Sequence, residues 1–149
     1  MMYLERKEDL SVYFLVKTLF GSNPEIKIVD GFPDEALTIP SVAVDNDVLA
    51  LEDFELGNRE GRRTRTWYID VFAKNKTQRD DFCYRILNGF KNGIVVYDYD
   101  EGFPDDSSPS KIGHLGVIMR RMRPLKINPK LVDKMYYRAT VTIVASNTI

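Results

Sequence analysis

Cysteine and histidine each occur once in these 149 residues, and that scarcity removes several chemistries at the outset. A lone cysteine, Cys83, excludes a disulfide within the chain. Zinc needs several Cys and His ligands at short spacing, which one of each cannot supply. A Ser-His-Asp or Cys-His catalytic set would have to use His114, which sits among glycines with no nucleophile motif beside it and reads as structural or solvent-exposed. No apolar run approaches the roughly 18–20 residues of a membrane span. The acidic, basic and aromatic mixture of residues 1–9 is no signal peptide, so the chain is expected in the cytoplasm when made. Glycine-rich phosphate-cradling signatures are absent. A net charge of −1 gives no global pull toward nucleic acid or anionic membrane, so any electrostatic role must be local.

What is present fits an ordinary globular protein: 44% hydrophobic and 29% charged residues, in a length expected to form one domain over 1–149. The clearest local code lies in residues 62–99. Thr64 to Ala73 is dense in β-branched and aromatic residues, with Trp67, Ile69 and Val71 on one apolar row, and reads as a strand. Its other row, Thr64, Thr66, Tyr68, Asp70 and Phe72, mixes polar with aromatic, so that face is expected to be only partly covered. Residues 75–77 offer side-chain oxygens for a helix start. Phe82, Ile86 and Phe90 then recur every four residues with Cys83 and Leu87 beside them, predicting an amphipathic helix over 77–90 with the cysteine buried in it. Asn92-Gly93 stops it, and residues 94–99 restart as a strand.

Residues 4–20 have helical spacing and are unusually apolar, which predicts a helix covered on more than one side by its own sheet or a second subunit. Residues 21–24 end it. Residues 26–29 and 41–44 are short β-like runs. Residues 48–56 and 63–73 read as a long antiparallel hairpin joined by 57–61. Glu52, Asp53 and Glu55 on its first arm are expected to pair across to the arginines of the second. Residues 98–110 form an acidic loop, 112–123 a strand, 124–133 a proline-punctuated connection, and 135–145 a final strand with clean period two. The fold class that follows is α+β: a single mainly antiparallel twisted sheet, a long β-hairpin, and two principal helices packed on one face.

Three patterns bear on function. Glu25-Ile-Lys27 with Asp9 upstream has the Glu-x-Lys form of metal-dependent nucleases, but Asp9 falls at a helix start and not on a neighbouring strand. The acidic run at 98–106 lacks the alternating ligand spacing of a calcium loop. Neither metal nor cofactor is expected. The third pattern is charge segregation: Arg59, Arg62, Arg63 and Arg65 in one cluster and Arg120, Arg121 and Arg123 in another stand apart from acidic stretches at 45–55 and at Asp98, Asp100, Glu101, Asp105 and Asp106. Such separation suits a positive face on one copy meeting a negative face on the next, the arrangement of a head-to-tail ring. A nucleic-acid surface is the alternative, but beyond Trp67 and Tyr68 no stacking aromatics are interleaved with the arginines.

The apolar first helix, the hairpin ending in Trp67-Tyr-Ile-Asp-Val-Phe-Ala-Lys74, the immediate helix from Thr77 to Phe90 and the closing strand Tyr136-Tyr-Arg-Ala-Thr-Val-Thr-Ile-Val144 resemble the tail-terminator (tail-completion) proteins of long-tailed bacteriophages. The resemblance spans nearly the whole chain and rests on length, element order and the strand-to-helix join. It implies a non-enzymatic virion protein at the tail-neck junction, a homo-oligomeric ring, six-membered in that family. Such a ring caps the tail tube protein, ends tube polymerisation and docks the head-connector or neck protein, with no membrane partner and no direct nucleic-acid recognition. It points to the hairpin around 57–65 and the acidic loop around 98–106 as contact regions. A sister neck or head-closure adaptor is the alternative, and behind it a small metal-dependent nuclease or nucleic-acid-binding protein.

Overall fold

A computed structural model of the protein describes residues 3–21, 23–31, 39–52, 62–101, 110–125 and 137–147, the side chains of 48, 50–52, 62 and 101 excepted. Helix α1 (Leu4–Phe20) covers the predicted apolar stretch, and Gly21 closes it. Its polar first half contains Ser11 and its second half Thr18, whose hydroxyls donate to the carbonyls of Lys7 and Phe14 four residues back. Helix α2 (Lys76–Gly89) starts where Asn75 accepts the amide of Gln78 at 2.8 Å, satisfying one of the donors a helix start leaves open. Three further residues turn the chain before Gly93, at φ +88°, sends it into the next strand. A Cβ there would stand 2.5 Å from the His114 ring and 2.6 Å from the Leu115 carbonyl, so the position needs glycine twice over.

The described residues also form six strands: β1 (Lys27–Asp30), β2 (Ser41–Glu52), β3 (Arg62–Phe72), β4 (Ile94–Tyr97), β5 (Lys111–Pro124) and β6 (Arg138–Ser146). They join in the order β1-β2-β3-β6-β5-β4. All neighbours are antiparallel except β1 and β2, which run parallel, a pairing the sequence pattern does not announce. The expected hairpin is present, with Glu52 opposite Arg62. Its first arm is longer than predicted. Residues 41–44 and 49–52 belong to one strand, because Asp45 and Asn46 pair in register with Tyr68 and Trp67 and the irregularity is confined to a bulge between Asn46 and Leu49.

Strand alternation puts Val42, Val44, Trp67, Ile69, Val71, Ala139, Val141, Ile143 and Ala145 on one face, and there they form a single buried cluster with Val12, Val16 and Phe20 of α1 and Phe82, Cys83 and Ile86 of α2. Both helices therefore cover the same face. Phe20 and Phe82 meet edge-on, with ring centroids 5.1 Å apart. Each large side chain so buried contributes about 1.5–3 kcal/mol before chain entropy is subtracted.

The two outer neighbours are short and leave long strands half-covered. β1 pairs only with residues 41–44 of β2, and β4 only with residues 111–115 of β5. Among the described residues, no strand pairs with the outer side of β2 beyond Val44 or of β5 beyond Leu115.

Candidate functional site: an arginine-bearing sheet face and its edges

On the face turned away from the helices, β3, β6 and β5 present Tyr68, Asp70, Thr140, Thr142, Arg121 and Arg123, which with Arg138 and Leu125 line an open groove of about 330 Å³. One half of it is internally satisfied. Asp70 accepts hydrogen bonds from Thr140 Oγ1 at 2.7 Å and Arg138 Nη2 at 3.1 Å, and the Arg138 guanidinium lies 5.0 Å from the Phe72 ring centre. The other half is not. Arg121 and Arg123 are exposed and have no carboxylate partner among the described residues. The Asp47 carboxylate beside the Tyr68 hydroxyl raises the phenol's pKa against the opposing pull of Arg121.

The arginines expected to act together divide by strand parity. Arg120 faces the helices and donates to the Leu87 carbonyl of α2, whereas Arg121 and Arg123 take the open side. Arg63 and Arg65 also face the helices. Among the described side chains their partners lie in the first turns of α1; the side chains of Glu52, Asp53 and Glu55, expected to pair across the hairpin, lie outside the described residues. Arg63 grips Glu8 through both amino groups, at 3.0 and 2.6 Å, and Arg65 reaches Glu8 at 3.1 Å and Asp9 at 2.6 Å. Trp67 Nε1 donates to the same Asp9 oxygen at 2.9 Å. Glu8 is 1% exposed and Arg65 2%. Burial this complete is sustained only because each charge is paired and hydrogen-bonded. Sequence patterning missed this network; the signal it carried was charge, acidic on α1 and basic on β3.

Two of the acidic residues, Asp98 and Asp100, are bound by α1. Lys7 Nζ lies 2.8 Å from both Asp98 and Asp100, tying α1 to the end of β4 and the short 3-10 turn Tyr99–Glu101. Those bonds hold the Asp98 carboxyl below the usual carboxylate range and raise the Lys7 ammonium above its own. Of the other predicted contact residues, Arg59, Asp105 and Asp106 lie outside the described residues, as do the side chains of Arg62 and Glu101.

The residues considered for catalysis have structural occupations. Asp9 is engaged by Arg65 and Trp67, so it does not stand as a free metal ligand beside Glu25 and Lys27. His114 is exposed, with Nε2 3.1 Å from the Asn92 carbonyl. Cys83 is fully buried, and loss of hydration pushes its thiol up to about 12, as befits a small core side chain and not a nucleophile. No helix among the described residues is long and apolar enough to cross a membrane.

No protein-family model matches the sequence, and a search of the curated proteins finds no match. Among solved structures the fold is similar to that of a chain in the "Virion of native gene transfer agent (GTA) particle". The TM-score is 0.51 at 11% identity, and the alignment covers 98% of this chain and 96% of that one. At that identity the likeness is one of fold.

Proposed function

We propose that this chain is a non-enzymatic structural virion protein, a single domain that assembles into a ring in the manner of tail terminators. The ring closes the end of a finished tail tube, stops further polymerisation and offers its outer surface to the head connector. The observation that supports the reading is the likeness of fold, end to end along both chains, to a protein chain of a virion particle. It fits the α+β element order that resembles tail terminators. The surface chemistry is consistent with it, because the strongest internal charges are spent on locking α1 to the sheet while Arg121 and Arg123 stay available to a partner. Capping by such a protein is steric and electrostatic, with hexameric closure expected from the family pattern.

Deleting the gene from the particle-producing cell tests this directly. Electron micrographs should show tails of uncontrolled length that lack heads, and gold-labelled antibody to the chain should mark the neck of wild-type particles. Tails of normal length that fail to join heads would make the chain a neck or head-closure adaptor. Magnesium-dependent cleavage of plasmid DNA by the purified protein would overturn the structural reading.

A further inference from the structure

The two sheet edges that no described strand covers match each other. One is β2 from Asp45 onward, where β1 stops; the other is β5 from Gly116 onward, where β4 stops. Register carried across the sheet puts them at the same height. Asp45, Tyr68, Thr142 and Arg121 form one row, and Asn46, Trp67, Ile143 and Arg120 the next. Leu49, Arg65, Ala145 and Val117 form another. An unpaired strand edge is a template for another chain, and proteins that do not use theirs blunt it.

Charge and apolar exposure differ between the two edges in a complementary way. The β2 edge carries Asp45 and Asp47, with Asp30 at the end of β1 beside them. Loss of hydration lifts the Asp30 carboxyl above its usual range, and the neighbouring carboxylates of Asp9 and Asp45 add to the lift while Arg6 opposes it. The β5 edge carries Arg121 on the same face as Asp45, whereas Arg120 beside it turns to the helices and donates to the Leu87 carbonyl. Leu49 is exposed on the first, and Ile118 and Met119 on the second. Like edges repel: β5 against β5 sets arginine on arginine, and β2 against β2 sets carboxylate on carboxylate. A mutual, two-fold contact is thereby disfavoured and a head-to-tail one favoured.

We propose that the β5 edge of one copy pairs with the β2 edge of the next, Arg121 facing Asp45 and Asp47, so that the sheets join into one continuous ring. Three antiparallel steps separate β2 from β5, so the two strands run in opposite directions within a chain. Copies related by rotation about an axis along the strands keep those directions, and the new pair is antiparallel. The occupant is a second copy of this chain, and the inference rests on the ring reading above.

The test uses the full chain carrying Asn46→Cys and Ile118→Cys, both exposed and neither charged, treated with a short bis-maleimide at rising concentration. Cys83 is buried and stays out of the reaction. Within one chain the two sites are three strand spacings apart, about 14 Å, so a short linker reports on contacts between copies. The expected result is a ladder of linked species ending at a closed ring, with neither single-cysteine variant linking. Asp45→Arg or Arg121→Asp alone should raise the concentration needed for assembly by about tenfold or more, and the two together in one chain should restore it. An oligomer of the same mass without the 46–118 link, or single-cysteine variants that link as well as the pair, would overturn the edge pairing and leave the ring reading intact. A monomer at every concentration together with neck labelling in particles would also overturn it; loss of neck labelling would strike the functional reading instead.

Discussion

Glu8 sits in the first half of α1 with almost no exposed surface, and both its oxygens are taken by arginines of β3. Removing one partner of a buried pair is costly because the other charge is left in a poorly hydrated site, typically about 3–5 kcal/mol. Glu8→Ala is expected at the low end, about 3 kcal/mol by urea unfolding. Asp9 and the Glu5 carbonyl still hold Arg65, at 2.6 and 3.0 Å. A cycle with Arg65→Ala should show strong coupling, since the residues touch and share a network. This is the part of the molecule least legible in the sequence. Spacing predicts that α1 buries Val12, Val16 and Phe20, but no spacing rule says that Lys7, Glu8 and Ser11 are buried as well. That depends on which strands lie beneath the helix, a tertiary fact.

At the scale of elements, pattern and structure agree closely where periodicity is strong. α1, α2, β3 and β6 fall within a few residues of their predicted bounds because apolar rows at period 3.6 or 2 leave few other ways to bury them. Agreement weakens at β2, where three polar residues conceal a bulged continuous strand, and at β1, whose parallel pairing depends on a neighbour distant in sequence. α1 is tied to the β4 end of the sheet by the Lys7 clamp on Asp98 and Asp100, beside the Tyr97 amide on Ser11 and the edge contact of Phe14 with Tyr97. The clamp's pH dependence has a definite sign. The Asp98 carboxyl is depressed in the folded state, first by its bond to Lys7, so its contribution is present at neutral pH and disappears as pH falls through that depressed value, below about pH 4. The Lys7 ammonium is raised, first by Asp100, so its contribution disappears only as pH climbs through a value above that of an ordinary lysine. Acid unfolding followed by circular dichroism should therefore begin at higher pH in Lys7→Met than in wild type. In Asp98→Asn it should lose the part of its slope that belongs to this carboxyl.

For the whole molecule, the division of arginines between two faces turns one expectation from composition into two distinguishable ones. Reversal at Arg62, Arg63 and Arg65, the change that charge clustering alone suggests for an interface, puts new carboxylates at 63 and 65 against buried Glu8 and should unfold the monomer. Arg121→Glu with Arg123→Glu touches exposed side chains without an ion pair among the described residues, so the monomer's stability should change by no more than about 0.5 kcal/mol. Assembly should nevertheless weaken. Charge pairing between exposed groups is screened over about 8–10 Å at physiological salt, so wild-type assembly should also fall as ionic strength rises, and the double variant should lose most of that salt dependence. Sedimentation at two salt concentrations, with urea unfolding of the same samples, reads both quantities. If the double variant assembles as wild type does and keeps its salt response, the arginines of the open face play no part in joining copies.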